Sequence, residues 1–130
     1  MARKSSLNEA EYQLVISEYM EATMTTPQGL LQIMTDVAPE FEDEFNQWYE
    51  QEHLAERMAI PGFIRARRFK ALEGSPKYLA LYDLASPDVL NCEAYRHLVG
   101  EGRTAWSRRL NLQFKNLSRN VYVAISDRQR

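Results

Sequence analysis

The chain has 130 residues, 45% of them hydrophobic, with a formal charge of -2 and a pI near 5.7. That length gives one domain able to bury a core without staples, and the acidic balance argues against broad binding to nucleic acid or anionic membranes. A single cysteine, Cys92, excludes an intrachain disulfide and a cysteine-rich zinc site.

The opening MARKSSLNEAEY has neither the apolar core nor the cleavage pattern of a secretory signal, and no window approaches a membrane span. A soluble protein of the reducing cytoplasm is therefore expected. Ser6 to Glu9 reads as a capping box for a helix over 7–22. Tyr12, Val15, Ile16, Tyr19 and Met20 share one face of it, so the helix must dock on its own domain or on a partner subunit. Thr25, Thr26, Pro27, Gln28 and Gly29 follow as a linker. Residues 1–28 thus form an N-terminal helical extension, and 29–130 the domain proper.

LLQIMTDVA over 30–38 is rich in branched residues and bounded by Gly29 and Pro39, which predicts a buried strand. The stretch 41–60, FEDEFNQWYEQEHLAERMAI, has a helical period. At about 100° per residue, Phe41, Phe45, Trp48, Tyr49, Ala55, Ala59 and Ile60 fall on one broad face. Glu52 and Glu56 lie inside that arc and His53 at its edge. Two carboxylates four residues apart repel each other on a helix. They are compensated either by strand arginines such as Arg65, Arg67 and Arg68 or by a polar pocket under the helix. Pro61 and Gly62 end the helix and turn the chain into FIRARRFKAL.

That segment and KYLALYDLA are separated by Glu73, Gly74, Ser75 and Pro76, the loop of an antiparallel hairpin. Ser86, Pro87 and Asp88 start a helix that runs through Tyr95 to about Val99. Gly100 and Gly102 interrupt it. A further helix from Thr104 carries Trp106, Leu110 and Phe114 at i, i+4, i+8, and NVYVAI over 120–125 is a fourth strand. The order α, then β-α-β-β-α-(α)-β, is that of the ferredoxin-like split βαβ fold, an α+β arrangement with a four-stranded antiparallel sheet covered by helices on one face. Non-alternating strands such as LLQIM and YLALY imply burial on both sides, so a second subunit is expected to cover the other face.

Trp48-Tyr49-x-x-Glu52-His53-Leu54-x-Glu56-Arg57, followed by Ile60-Pro61-Gly62-Phe63 and an arginine-rich strand, resembles the dimeric α+β barrel superfamily and, within it, the EthD-like proteins. The resemblance spans about 30–125. It implies a homodimer packed sheet against sheet, with small apolar or aromatic molecules bound between each sheet and its helices. The superfamily's chemistry is diverse: cofactor-free oxygenases, lactone isomerases, cyclases and haem enzymes.

Within this frame His53, with an ordinary pKa near 6.5, is the candidate general acid or base. Otherwise it is a helix-edge histidine bonded to a carbonyl or to solvent. His97 has no comparable setting and reads as a surface residue. Glu52 or Glu56 would set polarity or hold a substrate hydroxyl, and Trp48, Tyr49 and Trp106 would line the cavity. Arg65 and Arg67 share one strand face, as do Tyr78 and Tyr82. Facing the helix, Arg67 and Tyr82 would stabilise an enolate or phenolate; facing outward, the same residues make the dimer seam. Glu52, His53 and Glu56 lack a second nearby histidine, so no metal is expected. No glycine-rich signature points to flavin or nucleotide, and Cys92 lacks an obvious basic activator. RNA recognition by strand aromatics is disfavoured by the acidic chain and by the absence of an RNP1 pattern. The expected activity is a cofactor-independent lyase, isomerase or monooxygenase acting on an aromatic or apolar molecule by proton transfer, in aromatic-compound catabolism. The alternative is a non-catalytic small-molecule carrier or dimeric scaffold.

Overall fold

A computed structural model describes residues 7–24 and 26–130, with side chains for 7–16 and 26–130. Helix α1 (Glu9–Met24) is followed by strand β1 (Gly29–Val37) and a long helical segment. The hairpin strands β2 (Phe63–Lys70) and β3 (Tyr78–Leu84) come next, then helices α4 (Glu93–Val99) and α5 (Ala105–Asn111) and strand β4 (Phe114–Val123). Between β1 and β2, the segment opens with a 3-10 turn (Pro39–Phe41) and continues as α2 (Glu42–Trp48), a π turn (Tyr49–His53) and α3 (Leu54–Met58).

The capping residue Ser6 lies outside the described residues. The reciprocal bonds found at the start of α1 belong to Asn8 and Glu11: Asn8 Oδ1 accepts from the Glu11 amide at 2.8 Å, and the Glu11 carboxylate accepts from the Asn8 amide at 3.1 Å. Tyr12, Val15 and Ile16 are exposed in the single chain, so the docking of α1 within its own domain is not seen for these residues.

The four strands form one antiparallel sheet in the order β2-β3-β1-β4, the arrangement of a ferredoxin-like α+β fold. Gly62 carries the turn into β2 with φ of 98°, and a Cβ there would come within 2.5 Å of Val89 Cγ2. The hairpin loop closes where the Ala71 amide donates to the Lys77 carbonyl at 2.8 Å. Ser86 Oγ accepts from the Asp88 amide, as its N-cap position requires, but Pro87–Asn91 coils as a 3-10 turn before α4 begins at Glu93.

One expectation fails at the C-terminal end. Phe114 does not extend the α5 stripe: the helix stops at Asn111, and β4 starts at Phe114, six residues before the expected strand. The early part of β4 reads as non-strand because Lys115, Asn116 and Ser118 are polar and exposed or half-buried, while Asn116 sits at φ 56° in the bulge between the Met34–Ser118 and Asp36–Lys115 pairs.

Residues paired across an antiparallel ladder share a face. The pairs Leu31–Tyr82, Ile33–Ala80 and Thr35–Tyr78 therefore look towards the helices, together with Ala66 and Arg68 of β2. There they meet Phe45, Trp48, Tyr49, Ile60, Tyr95 and Leu110 in the core. Phe45, Leu84 and Leu110 are completely enclosed. The opposite face carries Leu30, Met34, Leu79 and Leu81, all half-buried in the single chain, and Phe69, which is exposed.

Candidate functional site: a basic cavity beneath a π turn

A cavity of about 390 Å³ lies between the sheet and the helices, within the size range of small-molecule sites. Its enclosed walls are Leu31, Trp48, Tyr49, His53 and Tyr82, all buried. Towards solvent the lining passes to half-buried Arg57 and Arg103 and to exposed Val99, Leu117 and Arg119.

The π turn decides which side chains of the long helix reach this space. The Leu54 amide donates to the Tyr49 carbonyl, five residues back rather than four. Such a turn inserts one extra residue into an α-helix. Everything beyond it is set back by one position, about 100° around the axis. His53 and Arg57 therefore occupy the inward places that a regular helix would give to Glu52 and Glu56. His53 is enclosed and Arg57 lines the cavity, whereas neither glutamate does.

Glu52 is instead a clamp between two elements. Its Oε2 accepts from Trp48 Nε1 at 3.1 Å and from Thr104 Oγ1 at 2.7 Å, and the same Thr104 hydroxyl caps α5 by accepting from the Ser107 amide at 3.0 Å. Glu56 is half-buried, and its carboxyl is raised by burial and by the nearby Glu52 charge. Neither glutamate pairs with Arg65 or Arg67.

The strand residues divide between the two faces. Tyr78 and Tyr82 look at the helices, but Arg67 is paired with Leu81 and Arg65 with Asp83 on the opposite side. Arg67 makes a salt bridge to Asp83 at 3.3 Å there and cannot stabilise an anion in the cavity. Sequence periodicity groups Arg65 with Arg67 correctly; it leaves open which face each pair takes, and the bulge between Phe63 and Arg65 resets that phase. Trp106 also lies outside the cavity lining and donates from Nε1 to Glu44 at 2.9 Å. His97 is exposed. Cys92, half-buried, caps α4 through its sulfur.

His53 is held between aromatic rings, 4.3 Å from Trp48 and 4.9 Å from Tyr49 by ring centres. Its Nδ1 is sealed from solvent without a hydrogen-bond partner. Burial, reinforced by the charges of Arg57 and Arg68, holds its pKa well below the ordinary 6.5, so the ring is neutral at pH 7. Tyr82, whose ring centre is 6.4 Å from that of His53, is the complementary group. Burial first, and then its neighbour Tyr49, push its pKa well above 10. The two hydroxyls influence each other's ionisation, yet their geometry falls short of a hydrogen bond, and Tyr82 Oη has no partner. A neutral imidazole, whose bare nitrogen accepts, and a protonated phenol, whose hydroxyl can donate, thus line one space.

The sequence reading missed Arg57 as a lining residue, Arg103, Arg119 and Tyr95. Arg119 Nη2 donates to Tyr95 Oη at 3.1 Å, and the Arg57 guanidinium lies 5.7 Å from the centre of the Tyr95 ring. The signal of Arg103 and Arg119 in the chain is the excess of arginine after residue 100, spread over separate elements.

Residues 28–115 match the model of a family described as a domain of unknown function, DUF4286. The chain belongs to this family. No curated protein matches it by sequence. Among solved structures, a dimeric ferredoxin-like protein from an uncultured marine organism is 17% identical, with a TM-score of 0.64 over 85% of this chain and 98% of its own. SnoaB, a cofactor-independent oxygenase from Streptomyces nogalater, is also 17% identical, with a TM-score of 0.56 over 78% of this chain and 97% of its own. The heme-degrader MhuD from Mycobacterium tuberculosis is 16% identical, with a TM-score of 0.53 over 78% of this chain and 99% of its own. These likenesses establish the ferredoxin-like α+β fold of the DUF4286 chain. Among the described residues no helix is long and apolar enough to cross a membrane.

Proposed function

We propose that this DUF4286 protein is a homodimeric enzyme that moves a proton on an aromatic or otherwise apolar small molecule held in the cavity between sheet and helices. The carrying observation is that His53 and Tyr82, two residues of that cavity's lining, each keep an enclosed polar atom, Nδ1 and Oη, with no hydrogen-bond partner. Buried polar groups are ordinarily satisfied, so leaving two together costs stability unless a ligand uses them. In this reading neutral His53 takes a proton from substrate carbon or oxygen. Tyr82, held protonated, donates to the oxygen on which negative charge develops. An imidazolium formed beside Arg57 and Arg68 is strained electrostatically, and the substrate anion formed in the same step offsets that strain.

Proton abstraction of this kind opens lyase, isomerase and cofactor-free monooxygenase reactions, and the fold shared with SnoaB is compatible with the last. The Trp48-Tyr49-x-x-Glu52-His53 helix supports a place near the EthD-like branch and a role in aromatic-compound breakdown. The half-buried apolar outer face of the sheet, with Leu30, Met34, Leu79 and Leu81, supports dimerisation through that face, as does the dimeric state of the marine ferredoxin-like neighbour. Helix α1, with its linker, is an addition in front of a domain that begins near Gly29.

The depressed basicity of His53 also suits a second reading, a carrier that binds the same class of molecule without reacting. Solvent exchange separates the two. The protein is incubated in D2O with a panel of phenols and aromatic 1,3-diketones, and NMR follows binding and deuterium uptake at the acidic carbon. Catalysed exchange that disappears in His53→Ala is the expected result. Binding without exchange leaves the carrier, and exchange that survives in His53→Ala removes histidine from the mechanism.

A further inference from the structure

The mouth of the cavity differs chemically from its floor. Arg57, Arg103 and Arg119 line it from three elements, α3, the α4–α5 connection and β4, while no aspartate or glutamate among the described side chains lines any part of it. Their partners among the described residues are neutral: Tyr95 Oη for Arg119 at 3.1 Å, the Gly100 carbonyl for Arg103 at 3.4 Å, and the Tyr95 ring for Arg57. Arg68 and Arg109, by contrast, are charge-paired, with Glu50 and Glu44. The charge of Arg57 is felt by Glu56, which lies outside the lining and forms no salt bridge to it. Guanidinium groups that line one cavity repel one another unless an anion joins them, and a guanidinium fork fits a carboxylate in two-point geometry.

We propose that the cavity recognises an aromatic or apolar molecule bearing a carboxylate, its ring system against Trp48, Tyr49 and Phe114 and its carboxylate at the mouth among Arg57, Arg103 and Arg119. This rests on the reading of the cavity as a small-molecule site and names the class of molecule that site takes. The geometry assigns an order to the ligand: the anionic end stays at the half-exposed rim, and the opposite end reaches the enclosed wall of His53 and Tyr82. Tyr95 is the positioning residue, because it holds the Arg119 guanidinium by its hydroxyl and supports that of Arg57 by its ring. No covalent step is involved.

Calorimetric titration of the 130-residue chain with 2-naphthoate and with its neutral counterpart 2-naphthamide tests the assignment without any need for turnover. The naphthoate is expected to bind at least about tenfold more tightly, the worth of one charge-assisted contact. That ratio should fall towards one in Arg103→Gln and in Arg119→Gln and recover in part in Arg119→Lys. It should stay unchanged in Arg96→Gln, an exposed arginine of α4. Melting curves of each variant exclude misfolding as the cause. Equal affinity for the two probes in the native protein, or an undiminished ratio in both glutamine variants, overturns the carboxylate inference while leaving the cavity as a ligand site. Failure of both probes to bind overturns it together with the small-molecule reading of the cavity.

Discussion

The two ends of the helical segment 39–58 cross the same sheet face and treat polar groups in opposite ways. At the α2 end, Glu42 accepts from Tyr78 Oη and pairs with Lys77. Asn46 donates to Tyr78 Oη at 3.3 Å and accepts from Arg68 Nη2 at 2.6 Å, and Arg68 also reaches Glu50 at 2.9 Å while lying 4.2 Å over the centre of the Tyr49 ring. At the α3 end, His53 and Tyr82 keep enclosed polar atoms without partners, and Arg57, Arg103 and Arg119 of the cavity lining form no salt bridge among the described residues. Polar groups that satisfy one another leave nothing for a ligand to do. Groups left open around a cavity mark where the fold gives up stability for binding.

Glu52 stands at the boundary of the two regimes and should behave as part of the satisfied one. Replacing it by alanine strips the acceptor from the fully buried Trp48 indole and from the Thr104 hydroxyl, which should cost about 1–3 kcal/mol of stability. Urea unfolding of Glu52→Ala reads this directly, and Glu52→Gln, which keeps an acceptor oxygen, should lose less. A variant as stable as the native protein but with altered ligand binding would return Glu52 to the site.

His53→Phe moves the open end towards the satisfied one. Because the folded pKa of His53 lies below 6.5, the unfolded chain binds the extra proton first as pH falls. The native protein is therefore fully stable, as far as His53 is concerned, above about pH 6.5, and it loses stability progressively down to the folded value. The Glu56 carboxyl, raised in the fold, works in the opposite sense at lower pH, and the depressed Asp36, Glu42 and Glu44 add acid sensitivity lower still. All four remain in the variant, so the difference between the two proteins isolates His53. Urea midpoints measured from pH 8 to pH 5 should converge less steeply with acid in His53→Phe; parallel curves would mean that His53 is protonated equally in both states.

The same division separates what the chain discloses from what it conceals. The branched run of β1, the Glu73 to Pro76 loop and the Pro61-Gly62 stop signal each act locally, and they fix the order of strands and helices. The places of Trp48 and Tyr49 in the cavity follow from ordinary helical spacing, since both precede the extra residue. Beyond it, spacing points to the wrong neighbours: Glu52 and Glu56 stand where His53 and Arg57 belong. Nothing in YEQEH announces a π turn, because the preference arises from packing Trp48, Tyr49 and His53 together over Tyr82 rather than from the local residues. Arg119 joins Arg57 in the cavity lining through the pairing of β4 with β1, a contact between distant parts of the chain.

The π turn itself gives the mildest of these tests. If it is an α-helix with one residue too many, removing the exposed Gln51 should regularise the turn without rotating either flank, since residues up to Glu50 and from Glu52 onward keep their faces. The deletion should then shift the melting temperature by less than about 5 °C. His53 should stay enclosed, with an NMR titration still below its ordinary pKa. Arg57 should still line the cavity, and the naphthoate preference should persist. A normal His53 titration in the deleted protein would show that the flanks had turned after all. The inward placement of His53 and Arg57 would then depend on the strands beneath them and not on the extra residue.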